Sequence, residues 1–145
     1  MDLQTAILGL NHNSTEKEQK QAIEYLKKLG ADDLKKVFAA IGKPERKAFV
    51  SVVSAVGFPD NMPLFPLLLE LLQDMNWPGA WEAVDLMASV GSTQILPLVE
   101  DAIFEAYQKK DYIWLSGLAM LNDKLASEGV SVSKEAYALL KYADY

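Results

Sequence analysis

Residues 78–91 read Pro78-Gly79-Ala80-Trp81-Glu82-Ala83-Val84-Asp85-Leu86-Met87-Ala88-Ser89-Val90-Gly91, opening with a proline and closing with a glycine. Proline suits the first turn of a helix, where its missing N–H has no partner to lose, and glycine suits the position just past the end. The stretch therefore predicts a helix over 78–90. Thirty-four residues earlier Pro44 opens a second helix that ends at Gly57. Aligning the two prolines brings Val50 onto Val84 and Val56-Gly57 onto Val90-Gly91. Phe65-Pro66-Leu67 recurs 31 residues later as Leu96-Pro97-Leu98, and Trp81 and Met87 recur 33 residues later as Trp114 and Met120. A period of 31–34 residues predicts a two-helix unit stacked about three times, each unit burying its apolar face on the next.

The remaining punctuation fills in the other helices. Thr15 with Glu18 is a capping box opening a helix over 16–29, closed by Gly30. Asp32 caps the next, Ser92 caps one to about Gln108 with Pro97 disturbing its first turn, Asp111 opens one to about Asn122, and Ser133 a last one to about Tyr142. A helix over 63–75 tolerates Pro66 only in its first turn. No segment alternates long enough to demand a strand; Val130-Ser131-Val132-Ser133 is too short and has nothing to pair with. The fold class is all-α. The absence of a Thr-Pro-Leu-His turn or a Trp-Leu-Gly-Tyr pattern favours HEAT-like hairpins over ankyrin or tetratricopeptide units. The expected architecture is one domain over 1–145, a right-handed α-solenoid. Its helix-pair units are 31–57, 58–91 and 92–126, with capping helices in 1–30 and 127–145.

Composition is that of a globular chain, half hydrophobic and about a quarter charged. Leu64–Leu72 is leucine-rich but holds Pro66 and Glu70, so it does not read as a membrane span. Met1-Asp2-Leu3-Gln4 lacks a basic signal-like region, which leaves the cytoplasm as the default expectation. With no cysteine, disulfides and thiolate chemistry are excluded. The net charge of −6 argues against sequence-independent nucleic-acid binding. Its distribution says more: residues 48–108 hold eight acids and no base, whereas the flanking segments mix both signs.

The segment Leu72-Gln73-Asp74-Met75-Asn76-Trp77-Pro78 resembles the hallmark of a bacterial family of small HEAT-like helical-repeat domains without an assigned activity. In that family a leucine-rich helix runs into this turn, and a helix, an Ile-Leu-Pro-like segment and a Trp-containing helix follow. Here these correspond to Leu64–Leu72, 78–90, Ile95-Leu96-Pro97 and Tyr112-Ile113-Trp114, so the resemblance covers roughly 64–118. It implies a helical-repeat fold and a bacterial origin.

His12, the single histidine, lies in the polar stretch Asn11-His12-Asn13-Ser14 and reads as an exposed loop residue. No zinc site or Ser–His triad can be assembled from one histidine and no cysteine without unusual substitutes. In the turn, Asp74 or Asn76 can hydrogen-bond the backbone while Trp77 staples the two helices it joins; as a loop at one end of a solenoid, Asp74, Asn76 and Trp77 are also candidates for partner contact. Trp81 and Trp114 read as equivalent inter-repeat core. Glu70 with Asp74, Glu82 with Asp85, and Asp101 with Glu105 each share a helical face. Converging faces could bind a divalent cation or supply acid–base catalysis, or they could be the solvated faces of amphipathic helices; ordinary solvated faces mix signs, however, and these segments have no lysine, which favours attraction to a basic protein.

The expected function is a non-enzymatic protein-binding module, without cofactor, metal, nucleic acid or membrane. Its acidic surface would be built from Glu70, Asp74, Asn76, Trp77, Glu82, Asp85, Asp101 and Glu105. A concrete form is an immunity protein that neutralises a basic bacterial nuclease toxin. The alternatives are an enzyme or nucleic-acid-binding HEAT-like protein, and a structural or self-associating protein in which the apolar Leu64–Leu72 helix is either central or an oligomer surface.

Overall fold

A computed structural model describes residues 1–144, and the chain is all-α, with nine α-helices, four short 3-10 turns and no strand among the described residues. The α-helices are α1 (Leu3–Gly9), α2 (Glu16–Leu26), α3 (Ala31–Ala40), α4 (Arg46–Val56), α5 (Phe65–Leu71), α6 (Ala80–Val90), α7 (Leu96–Gln108), α8 (Tyr112–Ser127) and α9 (Lys134–Leu139). They form two compact units. The first holds residues 1–64 with Trp77–Gly79; the second holds Phe65–Asn76 and the residues from Ala80 onward. Among the described residues no helix is long and apolar enough to cross a membrane.

Most helix starts follow the caps read from the sequence, but Pro78 does not open a helix: Gly79 follows it at a φ of +90°, and α6 begins only at Ala80. The Thr15 hydroxyl accepts from the Glu18 N–H while the Glu18 carboxylate accepts from the Thr15 N–H. These bonds hold the Glu18 carboxyl below the usual carboxylate range. Asp111 and Ser133 cap α8 and α9 by a single side-chain acceptor each, and Ser92 caps the 3-10 turn that leads into α7. Asp32 does not: α3 starts at Ala31 after Gly30, and Asp32 sits in its first turn. There a carboxylate still favours the positive end of the helix dipole.

The repeat has a local counterpart. The 3-10 turn Met62–Leu64 leads directly into α5, and 31 residues later Thr93–Ile95 leads directly into α7. Pro66 and Pro97 each occupy the second position of the helix that follows. Gly57 and Gly91 both close their helices at positive φ, +86° and +58°. The two tryptophans part company, however. Trp114 is buried, whereas Trp81 is 48% exposed on α6 and is not core.

In the first unit α1 packs on α2 and α2 on α4, and Phe38 of α3 meets Phe49 of α4 with ring centroids 5.1 Å apart. Trp77 joins this unit rather than stapling the helices on either side of it. Its ring carries Lys43 Nζ at 4.7 Å and the Arg46 guanidinium at 4.9 Å.

In the second unit α5 and α6 form one helix pair, and α7 and α8 another. First helix touches first helix (α5 with α7) and second touches second (α6 with α8), while α9 covers α7. Phe65, Leu68, Leu69, Leu71 and Leu72 are all buried, so the leucine-rich segment is a central helix rather than an exposed surface. It is shorter than the sequence predicts. It stops at Leu71 because Asp74 turns the chain, accepting from the Asn76 N–H at 2.8 Å in an arrangement that competes with helix continuation.

At that early stop the Leu69 and Glu70 carbonyls accept from the Leu72 and Gln73 N–H groups in a tightened last turn, and α8 adds a side-chain donor. The Trp114 indole N–H donates to the Leu69 carbonyl at 2.9 Å. One turn further on, Gly117 lies so close that an added Cβ would stand 2.2 Å from the Leu72 carbonyl oxygen. α8 itself runs to Ser127, beyond the predicted end near Asn122. Asn122 is buried and accepts from the Val132 N–H, so the residue read as a stop pins the following loop instead.

Gly117→Ala should destabilise the protein by about 1–3 kcal/mol, because a backbone oxygen cannot yield. The usual gain of about 1 kcal/mol for alanine over glycine in a helix acts the other way, so a net loss in urea unfolding isolates the clash. Trp114→Phe should cost about 2 kcal/mol through the lost hydrogen bond and volume. Trp81→Phe should stay within about 0.5 kcal/mol; equal losses at both positions would contradict the assignment.

Candidate functional site

The eight residues expected to bind a partner separate into a groove, a turn and a paired helix face. The groove lies in the second unit between α5 and α7. Glu70 and Gln73 stand on one side, and Asp101, Glu105 and Lys109 on the other. Leu69 and Trp114, both buried, form its floor together with the half-buried Leu98. Its volume is about 290 Å³. Helical spacing accounts for the acidic wall: Asp101, Glu105 and Lys109 are four apart along α7 and so project to one side.

Lys109 is held at the end of the groove by Glu105, with Nζ to carboxylate oxygen at 2.6 Å. That hydrogen bond, followed by the charges of Glu105, Asp111 and Glu70, pushes the lysine above its ordinary range. Lys109 reaches this place because α7 ends there. The N–H groups of Lys110 and Asp111 return to the Tyr107 and Ala106 carbonyls, with Lys110 at the positive φ of +56° that such a stop requires. Asp111 then caps α8 by accepting from the Trp114 N–H at 3.0 Å. Glu70 and Asp101 are exposed and belong to no ion pair among the described residues.

The other five candidates lie elsewhere. Asp74 shares no helical face with Glu70, since α5 has already ended; its carboxylate is spent on the turn to Asn76, and Asn76 is exposed. Trp77 is stacked against Lys43 and Arg46. Asp85 pairs with Lys124 of α8, and Glu82 is half-buried on α6; neither lines the groove. The expectation of acidic faces free of bases therefore fails in space. Lys109 and Lys124 come from outside residues 48–108 and neutralise Glu105 and Asp85. Glu100, also in the acidic block, accepts from the Ser133 N–H at 2.7 Å. Lys109 itself was missed as a site residue, although its place four residues after Glu105 is an i,i+4 signal.

His12 lies in the first unit with Nδ1 3.5 Å from Glu45. Among the described residues no three His, Cys, Asp or Glu side chains are grouped so as to hold a metal ion. Comparison with protein-family models, with curated proteins and with solved structures finds no match to this chain.

The Asp85–Lys124 pair is exposed on both sides, so its coupling in a double-mutant cycle of Asp85→Asn and Lys124→Met should be about 0.5 kcal/mol at low salt. It should vanish near about 1 M salt, where charges are screened within about 3 Å.

Proposed function

We propose that the chain is a non-enzymatic protein-binding module, a HEAT-like right-handed solenoid of about three helix pairs, whose acidic surface receives a basic protein. The observation that carries the binding part is the groove of the second unit, where an apolar floor lies beneath two carboxylates, Glu70 and Asp101, that make no ion pair within the described chain. Carboxylates beside apolar surface attract a cation more strongly than carboxylates in open water, because less solvent screens them. A surface paired within itself, like Asp85 with Lys124, has less to offer a partner. The contacts of α5 with α7 and of α6 with α8 support the stacked-pair architecture.

A concrete form of this reading is an immunity protein holding a basic nuclease toxin in the bacterial cytoplasm. The resemblance of residues 72–78 to the bacterial helical-repeat family supports the setting, and the groove supports the sign of the partner's charge. The surface centres on Glu70, Asp101 and Glu105, with Glu82 and Asp85 at most at its margin.

Tagged protein incubated with extract of its native cells at about 0.05 M salt should retain a basic protein in stoichiometric amount. Retention should fall at least about tenfold by 0.5 M salt, as the screening length shortens from well over 10 Å to a few Å. The double substitution Glu70→Lys, Asp101→Lys should remove it. A stoichiometric partner that is acidic, or one kept through both high salt and charge reversal, would sink the reading.

A further inference from the structure

We propose that the groove between α5 and α7 receives one lysine or arginine side chain of the partner, the stem on Leu69, Leu98 and Trp114 and the charged head between Glu70 and Asp101. This rests on the protein-binding reading above and specifies where and how that binding selects its partner.

Size comes first. At about 290 Å³ the groove sits at the lower end of small-ligand clefts and admits one long side chain rather than a helix. Lining comes second. A long cationic side chain has an apolar stem and a charged tip, and it lies best where apolar surface leads to opposite charge. Here the buried Leu69 and Trp114 lead outward to exposed carboxylates. A bare divalent ion would gain nothing from that floor and would need six or more oxygen ligands. Charge complementarity comes third: three carboxylates and one ammonium line the groove, so it keeps a net negative charge.

Lys109 makes the occupant specific. The chain's own lysine already lies along this groove with its ammonium on Glu105 at 2.6 Å, a built example of the interaction an incoming side chain would make with Glu70 and Asp101. Its pKa is raised first by the Glu105 hydrogen bond and charge, with smaller contributions from Asp111 and Glu70. Lys109 also competes. While it holds Glu105, a partner lysine has two carboxylates instead of three. Removing the Lys109 ammonium should therefore tighten binding of a cationic probe, and by more than removing that of Lys124, which pairs with Asp85 outside the groove.

The test is fluorescence anisotropy with a labelled pentapeptide, leucine-lysine-alanine-leucine-lysine, against its glutamine-for-lysine counterpart, with folding of every variant checked by circular dichroism. Lys109→Ala should tighten the lysine peptide about two- to fivefold, the range of one exposed charge pair. Glu70→Gln with Asp101→Asn should weaken it about fivefold or more, and the glutamine peptide should not bind. Weaker or unchanged binding in Lys109→Ala overturns the inference, as does equal binding of the two peptides. If the peptide ignores all variants while a basic partner is still captured from cells, the groove is wrong and the protein-binding reading stands. If the peptide follows the expected pattern while no partner is captured, the lysine-receiving groove stands without that reading.

Discussion

The carbonyl of Leu72 rests against the Cα of Gly117 with no room for a methyl group between them, and the arrangement of the second unit follows from that contact. A helix that ends inside a core must find partners for its last carbonyls, since burying them unpaired costs about 1–3 kcal/mol each. α5 is such a helix, with Leu71 and Leu72 buried at its end. Its Leu69 and Glu70 carbonyls accept from the Leu72 and Gln73 N–H groups, and α8 adds to this from a single face. Trp114 donates to the Leu69 carbonyl, and Gly117, three residues on, removes the side chain that would hold the helices apart. Leu115, Leu118 and Leu121 then bury against what the approach brings near. With α5 fixed on α8 and α7 paired with α8, Glu70 and Asp101 come to face one groove.

Charge in this chain is organised in space and not along the sequence. Residues 48–108 have no base, yet two of their acids are neutralised by lysines that enter from later in the chain, one at the end of α7 and one on α8. Helix pairing brings distant segments side by side, so a base 39 residues away in sequence, such as Lys124 from Asp85, becomes a neighbour. What survives as unspent negative charge is narrower than the linear block suggested, and it is concentrated beside apolar surface.

Local chemistry was readable without the fold. Capping hydroxyls and carboxylates, prolines in first turns and glycines at helix ends act within a few residues, and Thr15, Ser92, Asp111 and Ser133 cap where their positions predict, whereas Pro78 stands in the turn before α6, which begins at Ala80. The 31-residue echo between Met62–Leu64 and Thr93–Ile95 was equally legible, being a repeated local structure. Contacts between helices were not. Trp81 and Trp114 look equivalent by spacing, but only Trp114 is buried against a helix end, where it donates to the Leu69 carbonyl. Trp77 likewise finds its partners in Lys43 and Arg46, more than thirty residues away. Of the candidate site, sequence supplied the carboxylates of the groove, but neither their convergence nor the lysine lodged among them.

In the proposed complex the groove would bear on selectivity more than on strength. A micromolar complex requires about 8 kcal/mol, whereas one exposed charge pair contributes at most about 1 kcal/mol. Most of a partner's affinity must then come from apolar contact outside the groove. Elsewhere in the second unit Phe104, Tyr107, Tyr112 and Ile113 are exposed, with Tyr142 tilted against Tyr107 at 5.2 Å and stacked on Tyr112 at 6.3 Å. Tyrosine is a residue on which interfaces concentrate their energy, because it offers a large rigid face at low entropic cost. Such a surface alone would accept many partners. In the proposed complex the groove carboxylates, with a competing lysine already in place, would penalise a partner that brings an acid or an uncharged side chain to the groove, and negative discrimination of this kind is how a sticky surface becomes a selective one.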